Sequence, residues 1–317
     1  MPVRETAIER HRRVVAASRE TGFVLDRRRL HELGVSRHQA AAQVAAGRWV
    51  RLGNQTFGMR DGPLGGCAQW WRAVWETGHR IALVDGASAL LAAGLKGWTE
   101  DVVHVSVLHR HSIVPIDGVK IHKVARRVED EAIGAGVPRT TPAVAAIRAA
   151  HWAVSDRQAA TILAMPVQQR LTTAKQLMQT VEVVRGRTRR ALIRQIVTDI
   201  ADGAQSLGEL DFAAACRRRG LPVPSRQVLH HGPRGRVYLD VYFDDYGFAV
   251  EIDGAGHLWG LAQMDDNLRE NQLVIDGDRV LRITLIGLRL NEETVMDQVA
   301  AALRSDWAQD TYARRRR

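Results

Sequence analysis

Three carboxylates in the C-terminal third of the chain stand where one β-hairpin would bring them together. Val237, Leu239, Val241 and Phe243 alternate with Tyr238, Asp240 and Tyr242, the period-2 signature of a half-buried strand. Asp244-Asp245-Tyr246-Gly247 is turn chemistry. Phe248, Val250 and Ile252 then alternate with Ala249, Glu251 and Asp253. A turn closed on a Phe243–Phe248 pair sets Asp240 opposite Glu251, and opposed residues on one face have Cβ atoms roughly 4.5–5.5 Å apart. Like charges gathered so closely need an offset, either a divalent cation or a raised pKa and a proton on one or more of them. A cation there predicts a Mg²⁺ or Mn²⁺ site of the kind that handles phosphodiesters. The competing reading leaves the acids facing solvent or paired with the many arginines. Gly254 and His257, which follow at once, weigh toward the site.

The order and spacing of these residues carry a resemblance. Asp240, then Glu251-x-Asp253-Gly254-x-x-His257, then Asp266-x-x-Arg269-x-x-x-Leu273-x-x-x-Gly277, then Arg279-Val280-Leu281-Arg282 resembles the very-short-patch-repair-like endonuclease family. That family is a branch of the PD-(D/E)xK, or restriction-endonuclease-like, superfamily. Ser206-x-x-Glu209-x-x-Phe212 and Gly220-Leu221-x-x-Pro224-x-Arg226-Gln227 extend the match upstream, so that it covers the last third of the chain. The resemblance implies Asp240 as principal metal ligand, Glu251 and Asp253 beside it, and Glu209 reaching in from the preceding helix. It implies acid/base or supporting roles for His257 and Asp266.

One position departs from the superfamily. Most members have a lysine two residues after the acid, where this chain has Asp253, and no lysine follows Lys175. The repair-endonuclease branch resembles this lysine-free pattern and leans on histidine. His257 is then the group to orient water or protonate the leaving oxygen, or else a hydrogen-bonding histidine in a loop. Ser206 and Glu209 also fit a capping box, which accounts for Glu209 without catalysis. Asp265 and Asp266 suit the first turn of a helix through its dipole alone.

These residues need elements to hold them. A helix over Ser206–Arg219, a strand near Gln227–His230, the hairpin, a helix carrying Asp266 and ending at Gly277, a strand over Arg279–Thr284 and a helix capped by Asn291 give the expected core over residues 205–305. Its order is that of a restriction-endonuclease-like αβββαβ fold. Residues 306–317 read as a basic tail, with Arg314–Arg317 disordered and attractive to nucleic acid.

The N-terminal segment, residues 1–61, reads differently. Glu5–Arg19 is helical in pattern. Asp26 caps a short helix closed by Gly34, and Ser36 caps the next, Arg37–Ala46, ended by Gly47. Two short helices joined by Gly-Val are a helix-turn-helix signature. Trp49–Leu52, Gly53-Asn54 and Gln55–Met59 make a small hairpin, or wing. The LGVSRHQ step and the GRWVRL…FGM wing resemble the winged-helix N-terminal domain of AbiEi-like antitoxins. In that fold Arg37, His38 and Gln39 open the helix that enters the major groove, with Gln43 one turn along. Arg48 and Arg51 would touch phosphates.

Residues 62–204 form an α+β and helical middle region. Trp70, Trp71 and Trp75 sit at helical spacing, as core rather than as a stacking platform for bases. Ile81–Leu95 reads as a helix, and Asp101–Leu108 and Gly118–Val124 as strands. His104, His109, His111 and His122 match no standard metal-ligand spacing and read as strand-surface residues. GASALLAAGL, VHVSV, GVKIHKV and Gly136–Pro142 resemble the region behind the winged helix in AbiEi-like actinobacterial proteins, whose chemistry is not evident from these residues. The arginines at 185, 187, 189, 190 and 194 suit either a DNA backbone or a solvated helix face.

Composition agrees with a polyanion partner. Of 317 residues, 45 are Lys or Arg and 35 Asp or Glu, for a net charge of +10. Cys67 and Cys216 are far apart in sequence and read as free thiols in a reducing compartment. No apolar run approaches the ~18 residues of a membrane span, and MPVRETAIERHRR has no signal-peptide core. The expectation is a soluble, cytoplasmic, α/β multidomain protein with no membrane partner. It would bind DNA and carry a Mg²⁺- or Mn²⁺-dependent endonuclease-like domain that hydrolyses or nicks phosphodiesters. The alternative is an antitoxin-like regulator whose nuclease fold is catalytically inactive. A cognate toxin or a homodimer is left open as a further partner.

Overall fold

The computed structural model describes residues 5–59, 65–201, 205–232, 235–253 and 280–316, with side chains for all of these except 205–211, 226–232, 235–240, 253 and 285. The protein is mixed α/β: among the described residues there are thirteen α-helices and three separate sheets, none of them a barrel. None of these helices is long and apolar enough to cross a membrane. The chain divides into two compact units, Met1–Ala149 and Ala150–Arg317.

The first unit opens with α1 (Ala7–Ala17), started by a Thr6/Glu9 capping box. After β1 (Val24–Asp26), the Asp26 carboxylate accepts from Arg29 N at 2.9 Å and caps α2 (Arg27–Glu32). Ser36 and Gln39 form a capping box on α3 (Arg37–Ala45). Both caps fall where the sequence puts them. The hairpin β2 (Val50–Arg51) and β3 (Thr56–Gly58) takes β1 on its far edge, giving an antiparallel sheet of order β1-β3-β2. Trp49, Leu25, Leu30 and Met59 fill the core of this part.

Next, α4 (Cys67–Thr77) buries Trp71 and Trp75 with ring centroids 4.8 Å apart, as core residues. The expected helix over Ile81–Leu95 is shorter than its apolar run. Leu83–Val84 is instead a strand, β4, paired to Ser106–Val105 and to Arg139. Only after Asp85 caps Gly86 N at 2.7 Å does α5 (Gly86–Ala92) begin. A short apolar run fits either state, and here pairing partners distant in sequence decide it. With β5 (Val103–Leu108), β6 (Val119–Val124), β7 (Ala132–Ile133) and β8 (Arg139–Thr140), β4 forms a sheet of order β6-β5-β4-β8-β7. The following helix, α6, spans Pro142–Trp152.

In the second unit α7 (Asp156–Gln168), α8 (Ala174–Val183) and α9 (Arg190–Ala201) precede α10 (Gln205–Arg218). A four-stranded sheet of order β12-β11-β10-β9 follows, from β9 (Ser225–Gly232), β10 (Gly235–Phe243), β11 (Phe248–Asp253) and β12 (Val280–Thr284). The first three strands are antiparallel, and β12 joins β11 in parallel. One face carries Val241, Phe243, Phe248, Val250, Ile252, Leu281 and Ile283, all buried. Phe243 stacks on Phe248 at 4.8 Å and meets Phe212 of α10 edge-on at 6.3 Å. The chain then runs through α11 (Leu285–Leu290) and α12 (Glu292–Arg304).

The C-terminal residues correct the reading of a disordered tail. Asp306–Arg315 form a helix, α13, with Ala308 fully buried. Trp307 meets Phe248 edge-on at 5.8 Å, and Tyr312 stacks on Tyr246 of the hairpin turn at 4.9 Å. Trp307, Ala308, Thr311 and Tyr312 lie at i, i+1, i+4 and i+5, an apolar stripe that the surrounding charges hide from a composition argument.

Candidate functional site

The backbone register of the second unit's sheet determines which candidate residues can meet. Phe243↔Phe248, Tyr242↔Ala249 and Val241↔Val250 are paired, so the hairpin closes where the alternation predicts. Gly247, at φ +71°, completes the turn and donates its N–H to Phe243 O at 2.8 Å. One residue further along, that register sets the backbone of Asp240 beside Glu251. On the other side of β11 the pairs are Glu251↔Arg282 and Asp253↔Thr284. Across β9 the pairs Leu239↔Val228 and Val241↔Arg226 bracket Gln227 beside Asp240. One row therefore crosses four strands: Gln227, Asp240, Glu251, Arg282.

Glu251 and Arg282 belong to the face turned from the core, since Val250, Ile252, Leu281 and Ile283 on either side are buried. Arg282 Nε lies 3.1 Å from Glu251 Oε2. For Glu251, then, the arginine pairing that competes with a metal is present. The neighbouring row is apolar, with Tyr242 and Ala249 buried and Val280 packed against them.

The remaining predicted ligands and catalytic groups are placed less fully. Asp240, Asp253 and Glu209 have their backbone in β10, β11 and α10, and their side chains lie outside those described. His257 and Asp266 lie outside the described residues. Among the described residues there is no group of three His, Cys, Asp or Glu side chains able to hold a metal. As a donor set, three carboxylates offer the hard oxygens that Mg²⁺ or Mn²⁺ prefer. α10 is already helical at Gln205, so Ser206 lies inside the helix rather than at its cap. The capping-box explanation of Glu209 is withdrawn with it.

In the first unit Arg37 and His38 are exposed in the first turn of α3, and Ala41 and Ala42 are exposed one turn on. Gln39 is half-buried, with its Oε1 accepting from Ser36 N at 2.8 Å in the cap. Gln43, expected on the reading face, is 1% exposed. Its Nε2 donates to Ala7 O at 2.7 Å, and its Oε1 accepts from Arg48 Nε at 2.6 Å. It ties α3 to α1 and fixes Arg48, because Ala40 and Gln43 form the helix's inward stripe. Arg51 is exposed on β2, with its Nε donating to Gly53 O at 3.0 Å.

Glu76 of α4 is a residue the sequence does not single out. Its carboxylate accepts from Asn54 N at 3.0 Å, Gln55 N at 2.8 Å, Thr56 N at 2.8 Å and Thr56 Oγ1 at 2.6 Å. One turn earlier, Arg72 donates to Leu52 O at 3.1 Å and to Asp117 O at 2.9 Å. A Cβ on Gly53 would lie 2.4 Å from the Glu76 carboxyl, so this close approach requires glycine. The hairpin tip is thus clamped to α4. A charged pair at i and i+4 on an otherwise apolar helix was the available signal.

Two further polar groupings lie in this unit. His104 and His122 are half-buried, correcting the strand-surface reading: their rings stack at 5.0 Å, and His104 Nδ1 is 2.9 Å from His122 Nε2. Burial first, then the charges of His104 and Lys120, push His122 down to about 3. Burial also lowers His104 against the opposing pull of Glu100. Deeper, Arg148 of α6 donates to Asp85 Oδ2 and Glu131 Oε2, each at 2.7 Å, with Asp85 fully buried. Arg127 reaches Glu131 Oε1 at 3.0 Å and Ser106 Oγ at 2.7 Å. Both cysteines are free, and burial pushes the Cys216 thiol up to about 12, which leaves it a core residue.

No family model matches this chain, and no curated protein does. The chain is similar to the RV2827C protein from Mycobacterium tuberculosis, known from a crystal structure, at 15% identity and a TM-score of 0.38. The match covers 61% of this chain and 76% of that one. A likeness that distant carries no argument about fold or function.

Proposed function

We propose that the chain binds DNA through its first unit and carries in its second a metal-dependent site for phosphodiester hydrolysis. The observation that carries the reading is the hairpin register, Phe243↔Phe248, which sets Asp240 beside Glu251 with Asp253 two residues on. The strand arrangement supports a restriction-endonuclease-like core, since α10 leads into three antiparallel strands to which β12 adds in parallel. The order α1-β1-α2-α3-β2-β3 with a β1-β3-β2 sheet supports a winged helix. In it Arg37 and His38 are exposed at the start of α3 and Arg51 on the wing.

Asp240, Glu251 and Asp253 would hold the cation; Mg²⁺ or Mn²⁺ bound there offsets charge building on the attacked phosphate. The chain's own groups do the rest. His257 orients water or returns a proton to the leaving oxygen, with Asp266 and Glu209 as supporting acids. Arg37, His38, Gln39, Arg48 and Arg51 hold the duplex.

The Glu251–Arg282 pair favours a second reading, because it offsets one of the three acids without a metal. In that reading the chain is an antitoxin-like regulator with a silent nuclease fold, and a cognate toxin or a second copy is its partner. Plasmid nicking with Mg²⁺ or Mn²⁺, run beside Asp240→Ala and an EDTA control with a gel shift on the same DNA, separates the two. Metal-dependent nicking lost in Asp240→Ala with binding retained is the expected result. Binding without cleavage of duplex, single-stranded and mismatched DNA would leave only the regulator.

A further inference from the structure

We infer that Arg282 is the phosphate-binding cation of the second unit's site, its guanidinium taking an oxygen of the nucleic-acid backbone beside Asp240 and Glu251. This rests on the nuclease reading of that unit. The argument begins with charge. A backbone phosphate approaching Asp240, Glu251 and Asp253 meets like charge, so a cation must stand in the same row if substrate is to bind. No lysine follows Lys175, which leaves arginine or histidine to supply it. Register places Arg282 directly beside Glu251 on the parallel neighbour β12. Leu281 and Ile283, 1% and 3% exposed, anchor the strand on either side, so the position of the arginine is set by core packing.

The geometry suits a double role. Arg282 meets Glu251 through Nε at 3.1 Å, while its side chain stays 59% exposed against 34% for the carboxylate. A guanidinium carries five N–H donors in a rigid fork, so one edge can hold a carboxylate while the other takes a phosphate oxygen. Before substrate arrives, the same pairing keeps Glu251 from repelling its acidic neighbours.

The test uses the full chain in EDTA, so that it reads binding without cleavage. The affinity of a 20-base-pair duplex is measured against salt for wild type, Arg282→Gln and Arg282→Lys. Loss of one phosphate contact lowers the log–log slope by about 0.9. Arg282→Gln should show that fall and Arg282→Lys should not. Phenylglyoxal labelling of the wild type, read by mass spectrometry, gives a measurement that needs no variant to fold: the duplex should protect Arg282. An unchanged slope in Arg282→Gln, or labelling of Arg282 that the duplex does not reduce, overturns the inference and leaves a cross-strand ion pair. In Mn²⁺, Arg282→Gln should also lower nicking on the order of 10²-fold. If wild type never nicks yet slope and protection behave as stated, the nuclease reading fails and the phosphate site stands.

Discussion

Replacing Arg148 by methionine should destabilise the first unit more than any surface change in it. The side chain is 5% exposed, and it contacts Asp85 and Glu131 carboxylates that are 0% and 2% exposed. Removing one partner of a buried pair costs about 3–5 kcal/mol, because the other charge is stranded away from water. Glu131 would keep Arg127 at 3.0 Å and Val128 N at 2.6 Å. Asp85 would keep hydrogen bonds from Thr140 Oγ1 and Gly86 N. The expectation therefore lies near the lower end, about 3 kcal/mol. For a unit of this size that lowers Tm by roughly 6–12 °C.

The sign with pH is also fixed. A stranded carboxylate has a folded pKa above its unfolded value near ~3.9. Its penalty is full at neutral pH and fades as pH falls toward that value, because protonation removes the buried charge. Calorimetry of the full chain at pH 7 and pH 4.5 should show the deficit of Arg148→Met against wild type shrinking on acidification. Arg148→Met/Asp85→Asn should lose less than the two single variants added together, since their interaction is counted twice in that sum. A deficit below ~1 kcal/mol, one independent of pH, or simple additivity would refute the claim that these groups form one coupled cluster.

Glu76→Ala releases the hairpin tip, and should cost unit 1 about 1–2 kcal/mol while weakening duplex binding in a gel shift, because Arg51 loses its fixed support. Gly53→Ala should act in the same direction, since its Cβ would meet the Glu76 carboxyl at 2.4 Å. His122, held at about 3 in the folded chain against an ordinary 6.5, keeps the native state from taking a proton that the unfolded chain accepts. Stability should fall as pH drops below 6.5 toward 3, by about 2 kcal/mol at pH 5, and His122→Gln should flatten that slope in urea titrations. Arg37→Ala and Arg51→Ala should each lower the salt slope of duplex binding by about 0.9, and unchanged slopes would remove these residues from the DNA interface.

Residues whose partners are close in sequence were legible, and those whose partners are far away were not. Asp26 and Ser36 cap α2 and α3 because a cap bonds three residues ahead. The hairpin closes on Phe243–Phe248 because alternation on both strands admits one register with the apolar residues inward. Gln43 illustrates the limit: helical spacing puts it one turn from Gln39, but its burial depends on Ala7, 36 positions away. α13 was hidden by its charge, though its apolar stripe has helical period. The partners of the acids follow no local period at all. Asp85 finds Arg148 across 63 positions, Glu251 finds Arg282 across 31, and Arg218 finds Glu292 across 74. In a chain with ten more basic than acidic side chains, an acid meeting a distant arginine is the default outcome. Glu76 breaks that default, with four donors from one turn and no arginine among them. Four backbone and hydroxyl donors fix a direction where a single cation would fix only a charge, which is the property needed to aim a hairpin tip.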